Sequence, residues 1–171
     1  QFLRGLDFYL KGQLEQAATQ LSLAAGPRRQ FYPAALLLGA AFAESGRDRD
    51  AAGVWQLALG DEARSPTAYL LLADARFRAG KPDAVVEVLK PAYARAPDDD
   101  QIARRLGLGY VVLGRHAEAV PVLDGYLRRH PDDQDVLLAA IWSQYEAVTR
   151  AKALLPEADR AKVKRYAAAY K

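Results

Sequence analysis

Apolar residues recur along this chain at helical spacing and are interrupted at regular intervals by Gly and Pro. The clearest case runs from Thr67 to Ala79, where Ala68, Leu71, Leu72 and Ala75 fall on one face of a helix. Gly80 then stops that helix, because the residue past a C-terminus commonly needs a positive φ. Pro82 stands where the first turn of the next helix needs no N–H. That helix carries Val85, Val86, Leu89, Ala92 and Tyr93 on one face. So short a link predicts antiparallel neighbours. Pro97-Asp98-Asp99-Asp100 and Pro131-Asp132-Asp133 each end one helix and offer an Asp to cap the next. Pro66, after Ser65, plays a similar part.

The pattern has a period of 34 residues. Gly5 to Ala24 (GLDFYLKGQLEQAATQLSLA) aligns with Gly39 to Ala58 (GAAFAESGRDRDAAGVWQLA). Gly5, Gly39, Ala73 and Gly107 share one position, and Gly12, Gly46, Gly80 and Gly114 another. Ala17, Ala51, Val85 and Ala119 share a third, Leu21, Trp55, Leu89 and Leu123 a fourth, and Ala24, Ala58, Ala92 and Tyr126 a fifth. Four repeats keep register without insertion or deletion. A fixed period of this length predicts an array in which each repeat packs on its neighbours. On this spacing Trp55 is a packing residue. Ala40, Ala43 and Glu44 are positions the repeat leaves free, and the two alanines would let a ligand approach the backbone.

Past Pro131 the pattern decays but helical spacing does not. Asp135 to about Ala151 carries Val136, Leu137, Ala140, Ile141 and Val148, and Pro156 opens a last helix from Glu157 to about Tyr170. These read as a degenerate fifth repeat covering the last apolar face. The expected division is four repeats over 1–131 (about 1–30, 31–64, 65–98 and 99–131), followed by capping helices over 132–171.

Gly39, Phe42, Gly46, Ala51, Trp55 and Ala58 together resemble the tetratricopeptide repeat family. That family has a small residue in its first helix, an aromatic three later, a turn Gly, a small residue early in the second helix, a large apolar residue four later, then Ala and Pro. The fourth repeat gives Gly107, Tyr110, Gly114, Ala119 and Leu123, then Tyr126 in place of Ala, then Pro131. The third departs at Val85 and at Arg76, where the aromatic should be. The resemblance covers about residues 1–131 and implies an all-α, right-handed solenoid of helix–turn–helix repeats, about ten helices in all. The stretch QAATQLSLAAGPRRQFYPAALLLGAAFAE is also similar to C-terminal arrays of bacterial proteins bearing von Willebrand factor A-related domains.

In the family the first helix of each pair lines a concave groove. The resemblance implies, by register, that Phe2, Leu6 and Tyr9 point inward, with Leu36, Ala40 and Ala43; Leu70, Asp74 and Phe77; Arg104, Leu108 and Val111; and Leu138, Trp142 and Tyr145. Such a groove would be apolar and aromatic-rich, with Asp74, Arg78, Arg104 and Arg105 as its charges. Contiguous apolar surface usually marks a binding site, and large aromatics and Arg are its usual anchors. Packing between repeats is the structural alternative for the same residues. Co-chaperone members of the family hold a C-terminal carboxylate with Lys, Asn and Arg. Those ligands would fall at Phe2, Leu6, Ala40, Leu70 and Asp74, or one repeat later at Leu36, Ala40, Asp74, Arg104 and Leu108. Only Arg104 is of the right type, and Asp74 would repel the anion, so no carboxylate clamp is expected.

Composition narrows the remaining chemistry. The chain has 171 residues, a net charge of +3 and no Cys, which excludes disulfides and Cys nucleophiles. Without Asn there is no N-x-[ST] acceptor. Use of Ala, Arg, Gly, Leu and Asp with little Ile points to a GC-rich bacterial source. No apolar run approaches the roughly 18 residues of a membrane span. No signal peptide is visible. The chain starts at Gln1 within an expected helix and reads as a fragment of a larger protein, so its compartment stays open.

The segment from Arg150 to Lys171 carries seven basic residues (Arg150, Lys152, Arg160, Lys162, Lys164, Arg165, Lys171) against Glu157 and Asp159. A basic helix of this kind could meet an acidic partner, nucleic acid or anionic membrane. The more ordinary reading is a cap that buries Val163, Tyr166 and Tyr170 and solvates its charges. Gly107-x-Gly109 lacks the spacing of a dinucleotide loop, and Asp98-Asp99-Asp100 lacks the alternating oxygens of a calcium loop. His116 and His130 lie about 20 Å apart along the expected helix and cannot share a metal. No catalytic set converges, and no cofactor is expected. The sequence therefore predicts a non-catalytic scaffold that binds a peptide or helical segment of a protein partner in its groove. The alternatives are self-association, or docking on another domain of a larger protein.

Overall fold

The computed structural model describes residues 1–27, 31–59, 66–150 and 156–170. Among them are ten α-helices and no strand: α1 (Phe2–Leu10), α2 (Leu14–Ala25), α3 (Tyr32–Glu44), α4 (Asp48–Leu59), α5 (Pro66–Arg78), α6 (Pro82–Arg95), α7 (Asp100–Val112), α8 (His116–Leu127), α9 (Gln134–Arg150) and α10 (Glu157–Ala169). This is the all-α helical-repeat class that the periodicity predicts. Starts of α3, α5, α7 and α9 fall at Tyr32, Pro66, Asp100 and Gln134, and those of α2, α4, α6 and α8 at Leu14, Asp48, Pro82 and His116. Both series step by the sequence period. Only α10 breaks step, starting seven residues later than the period would place it, after a longer α9. Ser65, Ala151, Lys152 and Lys171 lie outside the described residues.

The turn inside each repeat is built one way. Gly12, Gly46, Gly80 and Gly114 have φ of 71°, 77°, 67° and 66°. The residue after each donates its N–H to the carbonyl five residues back: Gln13 to Phe8 (2.9 Å), Arg47 to Phe42 (2.8 Å), Lys81 to Arg76 (3.0 Å) and Arg115 to Tyr110 (2.8 Å). This closure satisfies carbonyls at the helix end that would otherwise be orphaned. Between repeats, Asp99 accepts from Ile102 N (3.0 Å) and Asp133 from Val136 N (3.2 Å), as capping predicts.

The chain forms two compact units, Gln1–Val88 and Leu89–Lys171. In the first, α1 packs on α2, α2 on α3, α3 on α4 and α4 on α5, and α1 also touches α3. One buried cluster joins Ala17, Leu21, Ala34, Leu38 and Val54, and a second joins Ala51, Trp55, Leu59, Ala68 and Leu72. In the second unit α7 packs on α8, α8 on α9 and α9 on α10, with α7 also touching α9. Its buried side chains include Ile102, Leu106, Leu123, Val136 and Leu137.

The small position of the first helix and the large position of the second are one contact. A Cβ on Gly5 would come within 2.7 Å of Leu21 Cγ, one on Gly39 within 2.1 Å of Trp55 Nε1, and one on Gly107 within 2.3 Å of Leu123 Cδ2. Trp55 is buried, and its indole donates to Leu36 O (3.2 Å). It is a packing residue, as its spacing predicts.

Candidate functional site

First-helix faces form in each unit separately. In the first unit Leu6 and Tyr9 stand on α1, Leu36, Ala40 and Ala43 on α3, and Leu70, Asp74, Phe77 and Arg78 on α5. None is fully buried, and Phe77 is 66% exposed. Several also serve packing: Phe2 and Tyr9 lie against one core cluster, Leu36 and Ala43 against the other. The Tyr9 hydroxyl donates to Glu44 of α3. That hydrogen bond, with burial and the carboxylate charge, pushes the phenol up to about 12. Glu44 is therefore a partner of Tyr9, where the repeat alone leaves it free.

In the second unit Arg104, Leu108 and Val111 stand on α7 and Leu138, Trp142 and Tyr145 on α9. These two helices touch. Trp142 is 51% exposed and Tyr145 55% exposed, with ring centroids 6.1 Å apart. Leu138 is exposed beside them in sequence register, so the α9 face presents an apolar stripe at i, i+4 and i+7.

Asp74 and Arg78 belong to one unit and Arg104 and Arg105 to the other. Arg78 Nε donates to Asp48 Oδ1 of α4 (3.0 Å). Arg104 is held by Asp133 (2.9 Å) and Asp135 (3.2 Å), and the Tyr126 hydroxyl donates to the same Asp133 (2.8 Å). Burial pushes the Asp133 carboxyl up, but Arg104, Tyr126 and the Val136 N–H outweigh it and hold it below the usual carboxylate range. Arg104 thus spends its fork on tying α7 to the start of α9.

A second concavity was not legible from groove register. Gly46, Arg47, Asp48, Arg49, Asp50 and Ala52 form one wall of a cleft of about 530 Å³ in the first unit. Ala75, Arg76, Ala79 and Lys81 form the other wall. The available signal was Arg76, which stands where the other three repeats have Phe8, Phe42 and Tyr110.

The last helix caps the second unit by a different division of labour from the one its sequence suggests. Tyr166 is buried and Val163 half-buried, but Tyr170 stays 46% exposed because the helix ends at Ala169. Its charges are not all solvated either: Lys162 Nζ pairs with Asp124 (2.5 Å), which also accepts from the Tyr166 hydroxyl (2.6 Å). Burial, then Asp124, pushes Tyr166 up to about 12. One carboxylate of α8 therefore pins α10.

His116 is buried with Nδ1 3.3 Å from Ser143 Oγ, while His130 stacks on Tyr126 with centroids 4.7 Å apart. Among the described residues no group of three or more His, Asp or Glu could hold a metal. No helix among them is long and apolar enough to cross a membrane.

The family model described as tetratricopeptide repeat matches residues 70–134 and again 104–169. The chain belongs to the tetratricopeptide repeat family. The second match runs through α9 and α10, further than the spacing of small residues reaches. A crystal structure of MamA resembles the chain with a TM-score of 0.74 at 20% identity, covering 98% of this chain and 86% of that one. A MamA D159K mutant gives 0.70 at 21% identity, covering 99% and 92%. YrrB, described as a TPR protein with an unusual peptide-binding site, gives 0.71 at 13% identity, covering 96% and 82%. At such identities the likeness is one of fold. No curated protein sequence matches the chain.

Proposed function

We propose that this chain is a non-catalytic protein-interaction scaffold whose first-helix faces hold an extended or helical segment of a partner. The observation that carries the reading is the α9 stripe of Leu138, Trp142 and Tyr145, three large side chains each more than half exposed. Leaving such groups in water forgoes burial worth roughly 1.5–3 kcal/mol for a large apolar side chain, which a partner recovers. Aromatic anchors of this kind dominate interfaces. Leu108 and Val111 on neighbouring α7 extend the apolar surface, and in the first unit Phe77 with Leu36 and Leu70 offers a second one. Polarity at the α9 face comes less from Arg104, already held by two aspartates, than from the Tyr145 hydroxyl and the Trp142 indole N–H.

Membership of the family and the fold likeness to YrrB, itself described as peptide-binding, support this reading. The similarity of the Gln16–Glu44 stretch to repeat arrays beside von Willebrand factor A-related domains suits a module within a larger bacterial protein. The test is the affinity of a peptide selected on the chain from a random display library. Trp142→Ala with Phe77→Ala should weaken it by tenfold or more, about 1.4 kcal/mol. An unchanged affinity would remove the first-helix faces from the account.

A further inference from the structure

The geometry points to a second binding site, distinct from the first-helix faces: the cleft between the turn of the second repeat and that of the third takes the carboxylates of an acidic peptide segment.

Two turns of this chain hold the cation after the turn Gly in the same way. In the second repeat Arg47 follows the turn Gly, and the backbone closure onto Phe42 O brings it back to that residue. Its guanidinium lies 4.3 Å from the Phe42 ring centroid and its Nε 2.7 Å from Asp50. The fourth repeat does the same, with Arg115 5.0 Å from the Tyr110 ring and 2.7 Å from Glu118. A ring five residues back and a carboxylate three residues on satisfy the cation twice over.

In the third repeat the cation is Lys81, and both of its partners are gone. The ring position is Arg76 and the carboxylate position is Ala84. The same backbone closure joins Lys81 N to Arg76 O (3.0 Å), so two like charges occupy the place of a cation–ring pair. Among the described residues Arg76 bonds the neutral Gln56 Oε1 (3.0 Å) and no carboxylate. Across the cleft stands Arg49, whose counterpart one repeat earlier is Glu15. Among the described residues neither Arg49 nor Lys81 makes an ion pair. The two carboxylates of the lining are taken, Asp48 by Arg78 (3.0 Å) and Asp50 by Arg47 (2.7 Å). Three cations therefore line the cleft, and among the described residues no carboxylate pairs with any of them.

The remaining lining selects among anions. Gly46, Ala52, Ala75 and Ala79 keep the walls low, so a peptide backbone can lie close. About 530 Å³ is within the range of ligand sites. No aromatic lines the cleft, so it lacks the stacking platform that a nucleic-acid base would use. An Asp/Glu-rich segment fits both features.

The experiment is fluorescence anisotropy of a short labelled oligoglutamate peptide with the whole chain. Saturable binding at low salt that weakens as salt rises is expected, with none for oligoglutamine. Arg49→Gln with Lys81→Gln should weaken binding about tenfold while leaving the thermal midpoint in place, because both side chains are exposed and unpaired. Arg76→Phe, which restores the family's ring, should raise the thermal midpoint and also weaken binding. Oligoglutamate that does not bind, or binds the Arg49/Lys81 variant equally, overturns the proposal. Inorganic phosphate that displaces the peptide as readily as free oligoglutamate does overturns the peptide assignment in favour of a small-anion site. Single-stranded DNA that binds more tightly and is lost in the same variant overturns it in favour of nucleic acid. None of these outcomes touches Trp142, so failure here and failure of the first-helix faces are read separately.

Discussion

The indole of Trp55 lies directly over the Cα of Gly39, so close that a Cβ there would meet Nε1 at 2.1 Å. The ring cannot yield, because it is buried and its N–H is held by Leu36 O. Gly39→Ala should therefore destabilise the chain by about 1–3 kcal/mol through overpacking. Urea unfolding followed by circular dichroism measures it. Gly39→Ala combined with Trp55→Leu should recover much of the loss, since Leu is the residue that faces Gly5 and Gly107.

Gly53 gives the opposite expectation. It sits inside α4, is exposed, and a Cβ there would meet nothing within 4 Å. Gly53→Ala should stabilise by about 0.5–1 kcal/mol, because Gly in a helix interior carries an entropic cost that Ala does not. The same unfolding experiment reads both glycines.

These two positions show how much of the fold a single chain makes legible. The period identifies Gly5, Gly39 and Gly107 as one position and Leu21, Trp55 and Leu123 as another, and the structure joins them as one contact. What the period cannot supply is anything that happens once. The late start of α10 is one such feature, and the Lys162–Asp124–Tyr166 knot and the Tyr9–Glu44 bond pair residues whose equivalents elsewhere do not pair. Leu138, Trp142 and Tyr145 share one face of α9 by spacing, and each is more than half exposed. Register does not reveal that Arg104 and Arg78 have partners inside the chain. Long charged side chains reach several neighbours, so their partner is not set by spacing alone. Arg76 was visible as a departure, but its meaning needed the Phe42–Arg47 geometry.

Asp124 is the anchor of the last helix. Asp124→Ala leaves the buried Tyr166 hydroxyl without its acceptor and Lys162 with the more distant Asp159 (3.8 Å), and should destabilise by about 1–3 kcal/mol. Hydrogen exchange should locate the loss in α10, with amides of α1 to α4 unaffected.

Both ends of the pH scale carry a sign. Tyr9 and Tyr166 are raised in the folded chain from the ordinary 10 to about 12, so the stability they lend is complete below pH 10 and is lost as pH climbs towards 12. Asp133 is lowered, so its contribution is complete above the ordinary carboxylate value and is lost as pH falls through the folded one. Urea midpoints should drop in both windows. Tyr9→Phe with Tyr166→Phe should flatten the alkaline limb, and Asp133→Asn the acid limb.

The most direct test of the scaffold reading uses the two tryptophans against each other. Trp55 is 1% exposed and Trp142 is 51% exposed, so iodide quenching of the intrinsic fluorescence reports on Trp142. Saturation with a library-selected peptide should protect it, cutting the quenchable fraction sharply. A chain saturated with peptide whose Trp142 is quenched as freely as before would contradict the claim that the α9 face holds the partner.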